Sequence, residues 1–160
     1  MFGWAGIESY EPVFYNTENT FVEANKDLLN SIYGAYLEQI FWMWDKRDSE
    51  WITDFPVILK LNTMQISVCN NKLDEIALGC NDIDMSKPLE PYWYDVVGYD
   101  LEWKKFNDFE GSLILPDKID CCKIILEKTY LFGIDFCIGN GVLEVTNGLD
   151  CNNIGFYVNP

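Results

Sequence analysis

Histidine is absent from the 160-residue chain. This absence excludes every triad or dyad that relies on an imidazole, and it removes the commonest protein ligand of zinc. The chain also has no Cys-x-x-Cys pair, and Gly139-Asn140-Gly141 lacks the third glycine of a phosphate-binding loop and is interpreted as a hairpin turn. We therefore predict no catalytic residues, no metal site and no cofactor, and we interpret the protein as a non-enzyme.

A glycosidase-like carboxylate pair is the enzymatic alternative, because such chemistry needs no histidine. With 26 acidic residues, however, some pair will always lie at a suitable distance, so the signal is not specific. Asp82, Asp84 and Glu90 resemble a calcium loop, but the central glycine and terminal glutamate of the EF-hand are missing. We interpret that segment as a solvated loop.

Basic residues are scarce: 11 against 26 acidic ones, for a formal net charge of −15. A field of this sign repels nucleic acids and anionic membranes and favours rapid association with a basic protein. The alternative is that the acidity serves solubility alone.

Long apolar runs are also absent, which predicts no membrane span. The chain opens without the basic and apolar regions of a signal peptide, and four of its six cysteines sit in or beside apolar runs. We therefore expect reduced thiols and a cytoplasmic location.

The chain has no internal repeat and no long linker, which predicts a single domain over 1–160. Thr20 and Glu23 have the spacing of a capping box. Apolar residues then recur at helical spacing, which predicts one amphipathic helix over about 20–46. Its apolar positions are Leu29, Ile32, Tyr33, Tyr36, Leu37, Ile40, Phe41 and Trp44.

Beyond residue 54 the apolar period changes to two, which is typical of strands. The predicted strands are 57–61 and 64–68 as a hairpin, 73–78, 109–115, and the three closing segments 130–138, 142–146 and 154–158. Residues 119–126 fit either a strand or a short helix, and Val13–Tyr15 fits a short strand. The fold class predicted is α+β, with one long N-terminal helix packed on a mainly antiparallel sheet of six to eight strands.

The stretch from 72 to 110 interleaves ten acidic residues with tyrosines and tryptophans. Aromatic side chains anchor protein interfaces and carboxylates steer cationic partners, so this pattern predicts a binding surface. The alternative is that these aromatic residues belong to the core. The predicted partner-binding residues are Asp82, Asp84, Glu90, Tyr92, Trp93, Tyr94, Asp95, Asp100 and Glu102.

Several segments give the chain a resemblance to the small acidic immunity proteins of bacterial polymorphic or contact-dependent toxin systems. They are Val57–Val68 with Ile76 and Ile83, Leu101-Glu102-Trp103, and Gly141–Asp150 with Asn153-Ile154. The resemblance covers about half the chain. It implies a cytoplasmic inhibitor that occludes the active site of one cognate, basic toxin domain, such as a nuclease. The alternative is an acidic adaptor, an effector chaperone or a DNA mimic.

Overall fold

The computed structural model describes residues 3–90, 98–109 and 111–160. One α-helix and ten strands form the described part of the chain, together with a 3-10 turn at Trp4–Gly6. The helix, α1, spans Glu18–Ile32. The strands are β1 Tyr36–Asp45, β2 Glu50–Trp51, β3 Val57–Leu61, β4 Gln65–Asn71, β5 Glu75–Cys80, β6 Leu101–Lys105, β7 Asp117–Glu127, β8 Tyr130–Ile138, β9 Gly141–Asn147 and β10 Asn152–Val158.

All described strand pairs are antiparallel. The main path runs β10-β9-β8-β7-β1-β3-β4-β5, while β2 and β6 pair only with β1. The sheet folds over on itself, because β4 contacts β9, and β5 contacts β8. The helix α1 contacts both β5 and β7 and so closes one side of the fold.

The α+β class is confirmed, but the sheet is larger than predicted and the helix is shorter and differently placed. Instead of spanning 20–46, the helix ends at Ile32, and Tyr36–Asp45 of the predicted helix is strand β1. The capping box is also misplaced, because the N-cap is Thr17, whose Oγ1 accepts a hydrogen bond from the Thr20 amide at 3.3 Å. Gly34 separates helix from strand with a φ of +81°, a conformation open to glycine and costly for other residues.

The sequence of strand β1 has the apolar spacing of a helix because both faces of the strand are buried. Ile40 and Trp42 face the main core, whereas Phe41 and Met43 face a second apolar cluster. A bulge between Leu37 and Gln39 shifts the alternation, so that Leu37 and Ile40 both face the main core at a spacing of three. The result is apolar spacing that matches a helical period, even though the residues are mostly β-branched or aromatic.

Most of the other strand predictions are confirmed. The hairpin of β3 and β4, the strand β5 and the closing strands β8, β9 and β10 all lie where the alternation placed them, and residues 119–126 belong to strand β7. The strand predicted at 109–115 is wrong, because the described residues there form turns around Gly111, which has a φ of +93°. The short strand at Val13–Tyr15 is reduced to a single bridge between Tyr15 and Ile76.

Two apolar clusters stabilise the fold. The main one fills the space between the two halves of the folded sheet and includes Phe21 of α1. The second lies on the outer face of β1 and β3, where the segments around Ile7, Tyr10 and Ile83 cover it. The apolar residues of β1 therefore contact both clusters.

The expectation of reduced cysteines is wrong for one pair. Cys121 of β7 and Cys137 of β8 are directly opposite each other and form a disulfide. Cys122 points to the other face and packs against the main core. The disulfide removes one of the arguments for a cytoplasmic location, which stays a prediction.

Among the described residues, no helix is both long and apolar enough to cross a membrane.

Candidate functional site

Four of the nine predicted partner-binding residues, Tyr92, Trp93, Tyr94 and Asp95, lie outside the described residues. The structure places the other five in several different surroundings. Asp82 is half-buried, and its Oδ2 accepts a hydrogen bond from the Ser67 hydroxyl at 3.0 Å; burial raises its pKa above the ordinary value. The exposed Asp84 accepts hydrogen bonds from the Ser86 hydroxyl and amide, which lower its pKa. Glu90 is half-buried, and its amide donates to Gly6.

Asp100 and Glu102 lie at another end of the sheet. The Asp100 amide donates to Asp45, and the Asp100 carboxylate pairs with Lys46 at 3.1 Å. Ser67, beside Asp82, is in register with Phe41 through Ile58, four residues before Asp45. Two strand spacings and four residues of rise place Ser67 and Asp45 roughly 16 Å apart. The described acidic residues of the predicted site therefore do not form one patch.

Glu102 belongs to a surface that we call the tryptophan face, made of Trp44, Trp51, Glu102, Lys104 and Asp108. Trp44 pairs across the sheet with Trp51 on one side and with Glu102 on the other. The two indoles meet edge to face, with centroids 4.8 Å apart. The Lys104 ammonium lies 3.7 Å from the centroid of Trp44, and the Trp51 indole N–H donates to Asp108 at 3.2 Å. The aromatic rings of this surface are thus engaged by groups of the protein itself.

A second surface, which we call the apolar groove, lies between the β4–β5 turn, the β7–β8 turn and the end of β9. Its volume is about 590 Å³. Its lining residues are Lys72, Leu73, Asp74, Glu127, Lys128, Tyr130, Phe132, Asn147 and Leu149. Leu73 is 65% exposed, Tyr130 54% and Leu149 78%. Three large apolar side chains this exposed around one concavity, with charged residues at the rim, are typical of a protein-binding site.

The groove has a rigid base despite its exposed side chains. Asn147 is buried, and its side-chain amide donates to the Lys72 carbonyl at 2.6 Å and accepts from the Leu149 amide at 3.0 Å. The Asp150 amide also donates to the Lys72 carbonyl. These bonds fix the turn that carries Leu149 to the turn that carries Leu73.

Backbone strain is concentrated at this groove. Of the eight non-glycine residues with positive φ among those described, four lie in or beside it: Lys72, Lys128, Leu149 and Asp150. A left-handed conformation costs a non-glycine residue about 1–2 kcal/mol. Such strain persists only where surrounding contacts hold it, and it is concentrated at functional sites. Leu149, with φ of +66°, is one of these residues, and its apolar side chain is exposed to solvent.

The groove next to Asp82 is smaller, about 280 Å³, and is lined by Tyr10, Asn25 and Gly79 among others. A third groove, of about 370 Å³, lies beside Phe106 and Leu113. Asp135 of β8 and Glu144 of β9 form a cross-strand carboxyl pair in which burial raises both pKa values, and the charge of Asp135 raises that of Glu144 further. This pair lines none of the three grooves.

No protein-family model, curated protein or solved structure matches the chain. What can be said of function therefore depends on the residues and geometry of this protein.

The sequence did not predict the groove, because the residues that line it are scattered over 72–149 and include no aromatic run. A signal was nevertheless present. Leu73 lies two positions after Asn70-Asn71, and Leu149 directly follows Asn147-Gly148, so that each leucine lies in or next to a turn sequence, where apolar residues are unusual.

Proposed function

We propose that this protein binds and inhibits another protein, in the manner of an immunity protein that neutralises a cognate bacterial toxin domain by covering its active site. The observation that supports this most is the apolar groove, where Leu73, Tyr130 and Leu149 are exposed and Asn147 hydrogen-bonds the turns that carry the two leucines. On this proposal the protein acts by binding, not by catalysis, and it acts in the cytoplasm.

The groove has the properties of an interface centre. A few well-placed side chains at the centre of an interface supply most of the binding energy, while polar residues at the rim exclude water. The hydrogen bonds of the Asn147 side chain hold Leu149 in place before binding, so little conformational entropy is lost when a partner covers it. Lys72, Asp74, Glu127 and Lys128 supply the polar rim.

The net charge specifies the kind of partner. A chain at −15 attracts basic proteins over long distances and accelerates their association. Enzymes that cleave nucleic acids carry basic substrate grooves. An acidic inhibitor therefore suits a nuclease toxin, with the apolar groove supplying short-range affinity and the acidic surface supplying steering.

The first experiment is capture of partners from a lysate of the native cell with the full-length protein as bait, at low and at high salt. A single stoichiometric basic protein is expected. Its inhibition is then measured directly, by assaying the captured protein's activity with increasing amounts of this chain. A partner that retains full activity when saturated would overturn the inhibitor proposal.

The groove is tested by the double variant Leu73→Ala/Leu149→Ala. Removing two anchors is expected to lower the affinity for that partner at least about 30-fold. Ile114→Ala is the matched control, because Ile114 is exposed to nearly the same extent, 76% against 78% for Leu149, but lies outside the groove. Equal affinities for the two variants would exclude the groove as the interface.

A dimer of this chain that Leu149→Ala dissolves would instead support the alternative of an effector chaperone, whose apolar patch is an interface between copies.

A further inference from the structure

The hairpin turn between β1 and β2 brings together three carboxylates that the sequence analysis did not select. Asp45 and Glu50 pair across the hairpin, and Asp48 lies in the turn between them. One carboxylate oxygen from each of the three lies within 4.8 Å of the others. Asp48 and Glu50 are exposed, whereas Asp45 is 0% exposed.

Asp45 is an unusual residue to bury. Its Oδ1 accepts hydrogen bonds from the amides of Arg47 at 3.0 Å and Asp100 at 2.9 Å. Its Oδ2 is also buried, but it has no hydrogen-bond partner in the described part of the chain. A buried carboxylate oxygen without a partner is costly, and such groups are commonly paired or coordinate a metal ion.

We propose that Asp45, Asp48 and Glu50 form a binding site for a calcium ion. Calcium takes oxygen ligands at about 2.3–2.6 Å in a flexible geometry, so ligand oxygens within 4.8 Å of one another fit around one ion. Magnesium fits less well, because it requires near-ideal octahedral geometry and two of these three carboxylates are on exposed, adaptable side chains. The buried oxygen of Asp45 would be the fixed ligand, and the other two would close over the ion.

Two basic side chains of the turn could compete with calcium for these carboxylates. Lys46 is directed elsewhere, to Asp100. Arg47 is the direct competitor, because its Nε lies 3.7 Å from an oxygen of Asp48. Calcium must displace the guanidinium from Asp48, which weakens binding. Removing that charge while keeping the backbone amide that supports Asp45 is therefore expected to tighten calcium binding.

The site is tested on the full-length, metal-free protein by titration calorimetry with calcium and, separately, with magnesium. One calcium site is expected, with a dissociation constant on the order of 10⁻⁴–10⁻³ M, comparable with weak extracellular calcium modules. Glu50→Gln is expected to weaken it at least about tenfold, and Arg47→Gln to strengthen it several-fold. Glu102→Gln on β6 is the control, because it changes the net charge equally but lies outside the cluster, and it is expected to leave binding unchanged.

A second readout uses terbium as the probe in place of calcium. Trp44 precedes Asp45 and Trp51 follows Glu50, so excitation of tryptophan is expected to sensitise the emission of a terbium ion bound at the hairpin. Calcium should suppress that emission in the parent protein, and Glu50→Gln should abolish it. No calcium binding up to 10 mM, on the order of the weakest protein sites, would overturn the proposal. Equal losses in Glu50→Gln and Glu102→Gln would also overturn it, since they would indicate general attraction to an acidic surface.

This site is independent of the proposed inhibitor function, and its experiment requires no partner protein.

Discussion

The tryptophan face and the apolar groove both combine apolar and charged side chains at the protein surface, but they differ in what those side chains contact. On the tryptophan face, Lys104 covers Trp44 and Asp108 binds the indole N–H of Trp51. In the groove, Leu73 and Leu149 remain 65% and 78% exposed although half-buried hydrogen bonds of the Asn147 side chain join the turns that carry them. The aromatic rings of the tryptophan face already have partners within the protein, whereas the leucines of the apolar groove are available to another molecule.

The difference shows why aromatic content alone does not identify a binding surface. A half-exposed ring that already has a cation or a carboxylate beside it stabilises the fold. An exposed leucine on a strained, hydrogen-bonded turn contributes little to the stability of the fold. When a partner covers its side chain, the same leucine can contribute strongly to binding affinity. The two surfaces should therefore respond differently to mutation.

The largest effect is expected at the residue that joins the two regions. Asn152, which is fully buried, accepts hydrogen bonds from the Asn70 amide and side chain and donates to the carbonyls of Thr53 and Phe55. These hydrogen bonds join the end of strand β4, next to the groove, to the segment that follows Trp51. Asn152→Ala is expected to lower the free energy of unfolding by about 3 kcal/mol, because the buried backbone amide and side-chain amide of Asn70 both lose their acceptor.

Urea denaturation measures this loss, with Asn153→Ala as the matched control at an exposed position. A loss below about 1 kcal/mol would show that water replaces the amide and that the tie is weak.

The tryptophan face is expected to affect the rate of association more than its strength. Glu102→Lys/Asp108→Lys should slow association with the basic partner about tenfold at low salt, with a smaller effect on dissociation, because steering acts before contact. Glu23→Lys/Asp27→Lys on α1 changes the net charge equally and is expected to slow association less. Stopped-flow binding at two salt concentrations separates the two variants. Equal rates would mean that only the total charge matters.

Relief of strain separates stability from binding in the groove. Leu149→Gly removes the penalty of a positive φ and is expected to raise the free energy of unfolding by about 1 kcal/mol while weakening partner binding. Lys128→Gly, at φ of +58°, is expected to give a similar gain in stability with little loss of affinity, because it removes no apolar anchor. Thermal unfolding and the same binding assay check both variants. A Leu149→Gly protein that binds as tightly as the parent would contradict the role of its side chain.

The smallest expected effect is a pH dependence of stability that arises in one of the strands that carry the groove. Asp135 has one buried carboxylate oxygen without a partner in the described part of the chain, and burial raises its pKa above the ordinary 3.8. The folded state therefore binds the proton more tightly than the unfolded state, and stability falls as the pH rises from 3.8 through the raised value. Asp135→Asn should be more stable than the parent at pH 7, by no more than about 1 kcal/mol.

That gain should vanish below pH 3.8, where the parent is protonated in both states. Unfolding followed at several pH values measures it, with Asp54→Asn as an exposed control. A gain that persists unchanged in acid would mean that the carboxyl charge is not its cause.

Strands with one fully buried face were predictable because that face imposes a period of two, as in Gly141–Asn147. The region around Tyr36–Asp45 was not predictable, because burial on both faces and a bulge at Leu37 produced helical spacing in a strand. The sequence signal for an earlier helix end was the glycine at position 34, which weakens a helix, and the structure gives Gly34 a left-handed φ.

By itself, the sequence determined the fold class, most of the strands, the absence of histidine chemistry and the strong negative charge, because these follow from composition and local periodicity. Only the tertiary structure decided which scattered residues meet. It brought Leu73 to Leu149 through Asn147, separated Asp82 from Asp100, opposed Cys121 to Cys137 and gathered Asp45, Asp48 and Glu50 at one turn. The physical reason is that periodicity fixes which face of a strand a side chain occupies, whereas contacts between distant segments depend on strand order, register and the way the sheet folds over its core.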